Sequence, residues 1–326
     1  QIKAYCLLSG GLDSVLAIKL LQEQNINTIA LYFKSAFFDK TSTIVSLAKE
    51  LGVELMILDI TQDHFELVKN PQYGYGKNLN PCIDCHSLML KKAASLLKPN
   101  QKEFVATGEV LNQRPMSQNK NSLLCIAQYS GLTNLLLRPL SAKLLPPTLP
   151  EEKGWVNREN LLSIYGKSRK IQLNLAQKWN LKNFEPPAGG CKLTDKTFAS
   201  RLIYLKSQGL FNNQDLIYAT QFGRIFEIAS KKIVIVSRNQ EEGEQLKALS
   251  SKAQLLALGE KTIGPTLLGF GDFLPTEKQL IGQIFSYYSK VKGKEQAFLT
   301  INNDFFSILP LNFDEFNAFL DKIRVV

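Results

Sequence analysis

The sequence predicts a doubly wound parallel α/β sheet followed by a smaller α+β domain. Three observations carry that expectation. Apolar runs of strand length alternate with helix-like periodicity over residues 2–108. A glycine turn, Ser9-Gly10-Gly11-Leu12-Asp13-Ser14, joins the first strand to the first helix. Short paired runs replace the alternation from Phe211 onward.

Taken in order, the expected strands are 2–8, 27–33, 54–59 and 103–108, and the expected helices are 14–24, 42–51 and 87–97. A polar segment separates Ile60 from Asn80. In an open sheet of this kind ligands bind beyond the carboxyl ends of the strands. That edge receives the glycine turn, Phe33, and Thr107 with Gly108. Further on, residues 171–180 read as a helix, 225–229 and 232–236 as a strand pair turning at Ser230-Lys231, and 241–249 as a helix. The expected division is 1–145, a basic helical extension 146–210 that carries Cys191, and 211–326.

Composition bounds the class. A chain of 326 residues with 44% hydrophobic and 21% charged residues is long enough for two or three domains. No apolar segment approaches the roughly 20 residues that span a bilayer, so no membrane partner and a cytoplasmic location are expected. Residues 1–210 hold 26 Lys+Arg against 16 Asp+Glu, while 211–326 hold 13 against 13. The excess positive charge of the first two-thirds suits a polyanion such as RNA.

In the glycine turn, Gly10 and Gly11 let the backbone wrap an anion at a helix N-terminus. Asp13 and Ser14 offer a cap, a hydroxyl and a carboxylate ligand for Mg²⁺. Farther along, Cys82 and Cys85 stand two residues apart ahead of the helix expected at 87, where the helix N-terminus should favour thiolates. Cys6 and Cys125 lie in apolar runs and read as small buried residues. Cys191 differs, because Pro186-Pro187-Ala188-Gly189-Gly190 forms a turn that could bring its thiol to a site. Three accessible thiols, Cys82, Cys85 and Cys191, suit either a [4Fe-4S] cluster with one iron left open or a persulfide relay. His86, adjacent to Cys85, is a less favourable fourth ligand.

Several cations fall near the same edge. Arg114, Arg138 and Lys143 suit pyrophosphate or RNA phosphate. Lys167, Arg169 and Lys170 crowd a helix start, which opposes the macrodipole unless a polyanion binds there.

The hexapeptide Ser9 to Ser14 resembles the pyrophosphate loop of the PP-loop ATP pyrophosphatases, of adenine nucleotide alpha hydrolase-like fold, which cleave ATP to AMP and pyrophosphate. It lacks the Gly-Lys-Ser/Thr ending of a Walker loop. Asn80-Pro81-Cys82-Ile83-Asp84-Cys85, Ala106-Thr107-Gly108 and Gly189-Gly190-Cys191 look like the ordered signature of the tRNA thiouridylases. Cys85 and Cys191 match the two catalytic cysteines, Cys82 replaces that family's Asp, and Glu109 replaces its His. The runs 107–118, 137–143 and 187–195 are similar to a shorter bacterial group described as tRNA 4-thiouridine synthase-like. Gly223-Arg224-Ile225-Phe226, Arg238-Asn239 and Gly264-Pro265 resemble the RNA-binding domain of NFACT proteins.

The resemblance implies an ATP-dependent tRNA sulfurtransferase, with 4-thiouridine favoured. Ser9, Gly10, Gly11, Leu12, Asp13 and Ser14 would hold ATP with Mg²⁺, and Phe33, Thr107 and Gly108 would hold AMP. Asp13, Cys82, Cys85 and Cys191 would be catalytic, the three cysteines carrying the cluster. Sulfide or a donor such as a cysteine desulfurase would supply sulfur, and a homodimer is compatible with the family. A cluster-free persulfide relay, a nitrogen-transferring PP-loop ligase, and an RNA-binding protein with a structural metal site remain as alternatives.

Overall fold

The computed structural model describes residues 1–185 and 190–325, in two compact units, Gln1–Thr194 and Asp195–Val326. Cys191 therefore belongs with the first unit.

The first unit begins with β1 (Lys3–Leu7), α1 (Leu12–Gln22), β2 (Asn27–Lys34), α2 (Thr41–Leu51), β3 (Glu54–Asp59) and α3 (Thr61–Lys69). It continues through α4 (Cys82–Ala94), β4 (Glu103–Ala106), α5 (Lys120–Tyr129), β5 (Leu136–Leu137), the single turn α6 (Leu149–Glu152) and α7 (Lys170–Lys178). All five strands are parallel, in the order β3-β2-β1-β4-β5. The chain runs outward in one direction through β2 and β3, then returns past β1 to β4 and β5. The crevice between the ends of β1 and β4 is thus the topological switch point, where such sheets bind ligands.

Both faces of the sheet are covered, as parallel strands require. Ala4, Cys6, Ala30, Phe104 and Ala106 pack with Ile18, Leu21, Ile44 and Leu47 of α1 and α2. Tyr5, Ile29, Leu31 and Val105 face the other way, onto Leu90, Ala93 and Ile126 of α4 and α5. Alternate residues of one strand thus feed two cores, the period-two rule of a pleated chain. Each fully buried Leu, Ile or Phe contributes about 1.5–3 kcal/mol by leaving water.

Three local expectations change. α1 starts at Leu12 with Gly11 as its N-cap, so Asp13 and Ser14 lie inside the first turn and neither caps it. The polar segment after Asp59 contains α3, which buries only His64, Phe65 and Val68 on one face. α4 starts at Cys82, five residues before the expected start, so both thiols sit in its first turn. Cys6 is buried as expected, whereas Cys125 is only half-buried. The turn expected at 186–189 lies outside the described residues.

The second unit opens with α8 (Lys196–Ser207) and α9 (Gln214–Ala219), followed by β6 (Arg224–Ala229), β7 (Lys232–Val236), α10 (Gln240–Ala248), β8 (Leu255–Gly259) and β9 (Leu267–Phe270). It ends with α11 (Pro275–Tyr288), β10 (Ala297–Ile301), β11 (Asp304–Ile308), α12 (Phe313–Ile323) and β12 (Arg324–Val325). Its sheet is antiparallel, in the order β11-β10-β8-β9-β7-β6-β12. Phe226, Val234, Leu255, Ala257, Leu299 and Ile301 form its core with Ile281, Ile284 and Phe285 of α11 and Leu320 of α12. The parallel α/β unit and the smaller α+β unit agree with the fold class expected. No helix among the described residues is long and apolar enough to cross a membrane.

Candidate functional site

A cavity of ≈ 490 Å³ opens at the carboxyl ends of β1, β2 and β4. Ser9, Gly11, Asp13 and Ser14 form its floor, Phe33 and Phe38 one wall, and Thr107 and Gly108 another. Cys82, Cys85 and Cys191 line it as well. Gly10 and Leu12 do not reach it. Gly10 holds φ at +85°, a left-handed turn that suits glycine, and Leu12 is fully buried behind the loop.

The loop is internally tied. The Ser14 hydroxyl donates to the Gly11 carbonyl at 2.7 Å and accepts from the Ser9 N–H at 3.3 Å. The N–H of Glu185 donates to the Gly10 carbonyl at 2.9 Å, and the Glu185 carboxylate pairs with Lys40 at 2.9 Å. β4 ends hard against this loop. A Cβ on Gly108 would lie 2.4 Å from the Asp13 carbonyl carbon and 2.5 Å from the Ser14 nitrogen.

Asp13 faces the cavity with only half of its carboxylate satisfied. Gln113 Nε2 donates to Oδ2 at 2.6 Å, and Gln172 Nε2 donates to Gln113 Oε1 at 3.1 Å. Oδ1 has no hydrogen-bond partner, and Arg169 Nη2 stands 3.8 Å away. Arg169 Nε is also buried without a partner. An unfilled acceptor beside an unfilled donor, at a helix N-terminus, fits a polyphosphate and its Mg²⁺.

Burial sets the chemistry of the thiols. It raises Cys85 well above the usual thiol range, with further contributions from Cys191, Cys82 and Asp84. It raises Cys191 to about 11, against partial relief from the N–H groups of Leu193 and Thr194. For Cys85 the expectation that the α4 N-terminus favours the thiolate is corrected, because burial raises this thiol instead. Asn80 Nδ2 donates to Cys82 Sγ at 3.2 Å. Lys192 N–H donates to the Phe37 carbonyl at 2.9 Å, which seats the Cys191 turn beside β2. The soft sulfur donors fit an iron–sulfur group in kind. Among the described residues, however, no three His, Cys, Asp or Glu side chains are already grouped to hold a metal ion.

Glu109 anchors the wall behind the thiols. Its Oε1 accepts from His86 Nδ1 at 2.9 Å, and its Oε2 from Arg138 Nε at 2.9 Å and the Thr107 hydroxyl at 3.1 Å. Burial alone would raise this carboxyl, but the Arg138 guanidinium and His86 outweigh it and hold it at about 2. Arg138 also donates to the Leu123 carbonyl at 3.0 Å and is buried, so its expected role as an RNA contact is corrected to an internal ion pair. Lys143 lies outside the cavity, donating to the Glu159 carbonyl at 2.8 Å. Arg114, Lys167 and Arg169 do line the cavity, whereas Lys170 is an exposed residue at the start of α7. Gln113 and Glu185 escape sequence reasoning, since each reaches the loop across long stretches of chain with no local spacing to mark it.

Residues 2–132 match the family described as the tRNA methyl transferase HUP domain, and residues 223–308 match the NFACT protein RNA binding domain. The tRNA-specific 2-thiouridylase of Karelsulcia muelleri is 24% identical over 186 residues, covering 51% of this chain and 47% of the relative. That of Nitratiruptor sp. is 34% identical over 95 residues, 27% of this chain and 28% of the relative. A probable tRNA sulfurtransferase of Methanocaldococcus jannaschii is 28% identical over 144 residues, 43% and 37%. The chain therefore spans less than half the length of these curated relatives. A solved 4-thiouridine synthetase–RNA complex with bound ATP aligns at 19% identity over 67% of this chain and 52% of that one, with a TM-score of 0.37. The family matches bear out both resemblances, to the PP-loop thiouridylases and to the NFACT RNA-binding domain.

Two outcomes follow from this geometry. Gly108→Ala forces the loop away from β4, and such overpacking should destabilise by about 1–3 kcal/mol, read by urea unfolding. Glu109→Gln leaves Arg138 buried without its counter-charge and should destabilise by about 3–5 kcal/mol at pH 7, read by urea unfolding. Because the folded carboxyl is held below its unfolded value, this contribution is complete above pH ~4.5 and disappears only as the pH falls toward about 2.

Proposed function

We propose that this chain is an ATP-dependent tRNA uridine sulfurtransferase. One observation carries the reading: the Ser9–Ser14 loop, the unsatisfied Asp13–Arg169 pair and three cysteines all line a single cavity. Phosphate-binding geometry and sulfur donors within one enclosure suit a reaction that activates an oxygen with ATP and then replaces it with sulfur.

The first turn of α1 binds the β and γ phosphates with Arg169 donating to them, and Asp13 is the residue that would hold Mg²⁺. Phe33 and Thr107-Gly108 position the adenosine. A target uridine leaves its stack to enter the cavity. Its carbonyl oxygen forms a bond to the α-phosphorus as the bond to pyrophosphate breaks. The oxygen, a poor leaving group before, now departs as AMP when a sulfur nucleophile attacks the ring carbon. Position 4 of the uridine is the favoured acceptor, and sulfide or a cysteine desulfurase supplies the sulfur. Arg114 and Lys167 attract the RNA backbone to the mouth, and the NFACT-like unit adds a second RNA contact. The setting is the cytoplasm.

Cys82, Cys85 and Cys191 would hold a [4Fe-4S] cluster. Bound there as thiolates, they would let the cluster present hydrosulfide as the nucleophile at neutral pH, where Cys85 and Cys191 without a metal stay protonated. A second reading has a specific observation in its favour, the absence of a preassembled metal-binding group among the described residues. In it, Cys85 or Cys191 takes sulfane sulfur from the persulfide of a cysteine desulfurase, the outer sulfur attacks the activated carbon as AMP leaves, and the other thiol attacks the inner sulfur to release thiouridine and close a disulfide that external thiols then reduce.

The test is anaerobic reconstitution with iron and sulfide, followed by ATP, unmodified tRNA and sulfide, with thiouridine read by nucleoside mass spectrometry. Thiouridine is expected, lost with iron removal and in Cys82→Ala. Full activity in iron-free protein or in Cys82→Ala, supplied with cysteine and a cysteine desulfurase as the persulfide source, would replace the cluster with the relay. No thiouridine under either condition would contradict the sulfurtransferase reading.

A further inference from the structure

The sheet of the second unit is covered unevenly. On the face opposite the α11 core, Ile225, Ile233, Ile235 and Leu268 of β6, β7 and β9 are buried. The pairing register carries the same face onward through Leu256 and Leu258 of β8 to Phe298 and Thr300 of β10 and Phe305 of β11. There the cover ends: the residues of β8 and β10 are half-buried, and Phe305 is 54% exposed. The two phenylalanines lie in near-parallel planes, with centroids 6.0 Å apart and planes 23° from each other. Lys261 sets its ammonium 6.0 Å from the centre of the Phe298 ring.

We infer that this open aromatic face stacks unpaired bases of single-stranded RNA. The inference deepens the proposed tRNA reading and rests on it for the identity of the polymer. Three features select that occupant. Residues 223–308, which match the NFACT protein RNA binding domain, include the whole face. Two near-parallel rings, Phe305 exposed and Phe298 carrying a cation over its face, are elements of a base-stacking platform, as on the open sheets of single-strand readers. The charge balance agrees, since residues 211–326 carry 13 Lys+Arg and 13 Asp+Glu. A neutral surface gains little from counterion release, so affinity must come from contact with the bases. The platform is held firmly. Asn302 and Asn303, at φ of +50° and +72°, form a two-residue hairpin turn that fixes the register placing Phe305 beside Phe298.

The test uses the full chain, a fluorescein-labelled single-stranded oligouridylate and a duplex RNA of equal length, read by fluorescence anisotropy without ATP. The single strand should bind more tightly than the duplex, and the share of its affinity that Phe305→Ala removes should depend only shallowly on salt. Phe305→Ala and Phe305→Leu should each weaken single-strand binding about tenfold, the scale of one lost base stack, while Phe305→Tyr retains it. Equal binding by Phe305→Ala overturns the inference. So does wild-type affinity in Phe305→Leu, which would show general apolar docking, or a dimer by sedimentation that Phe305→Ala dissociates. Because no turnover is involved, failure of thiouridine formation leaves this result readable, and failure here leaves the thiolation assay intact.

Discussion

The close approach of β4 to the first turn of α1 is the constraint on which the rest of the first unit depends. Because residue 108 has no side chain, the end of β4 can lie against the backbone of Asp13 and Ser14. That contact narrows the switch point of the sheet into a cavity floored by the Ser9–Ser14 loop. The same end of β4 supplies Thr107 and Glu109, and Glu109 reaches His86 on α4. The helix bearing Cys82 and Cys85 is therefore anchored through one carboxylate to the strand that shapes the nucleotide site. The buried Arg138–Glu109 pair keeps that carboxylate ionised, and so keeps the anchor in place across ordinary pH.

The sulfur side has the opposite electrostatics. Cys85 and Cys191 are held protonated by burial, although Cys82 and Cys85 sit in the first turn of a helix. A thiol in that state is a poor nucleophile and a poor ligand until a metal, a second sulfur or an incoming substrate changes its surroundings. In the proposed reaction, reactivity that waits for its partner would keep the thiols from attacking the activated RNA early. The charge of the chain follows a similar division. Arg114, Lys167 and Arg169 line the cavity, where the proposed ATP and RNA would be gripped. Residues 211–326 instead carry no net charge, and their open sheet face ends in the exposed Phe305.

Where local pattern decided the structure, the sequence was legible. The strand at 54–59 and that at 232–236 are found at the residues expected, because each is an apolar run closed by turn residues. The glycine turn and three cysteines were legible for the same reason, as residue types with few alternative uses. Burial was not. Arg138 reads from its neighbours as a surface cation, and only the fold shows Glu109 waiting for it inside. Asp13 gave no sign of Gln113, its hydrogen-bond partner from a distant loop. α3 was missed because its apolar face is just three residues wide, too narrow for periodicity to stand out from a polar background. The strands from β8 onward are short, and their pairing is set by tertiary packing rather than by propensity.

The central claim is that ATP activates a uridine oxygen in the same cavity that delivers sulfur, and the fate of that oxygen tests it most directly. tRNA whose uridine carbonyls carry ¹⁸O at the thiolated position would be incubated with the reconstituted chain, ATP and sulfide, and the released AMP weighed by mass spectrometry. The account predicts that the label leaves the base and appears in AMP, one labelled AMP for each thiouridine formed. Thiouridine accompanied by unlabelled AMP, or by ADP and phosphate, would contradict it.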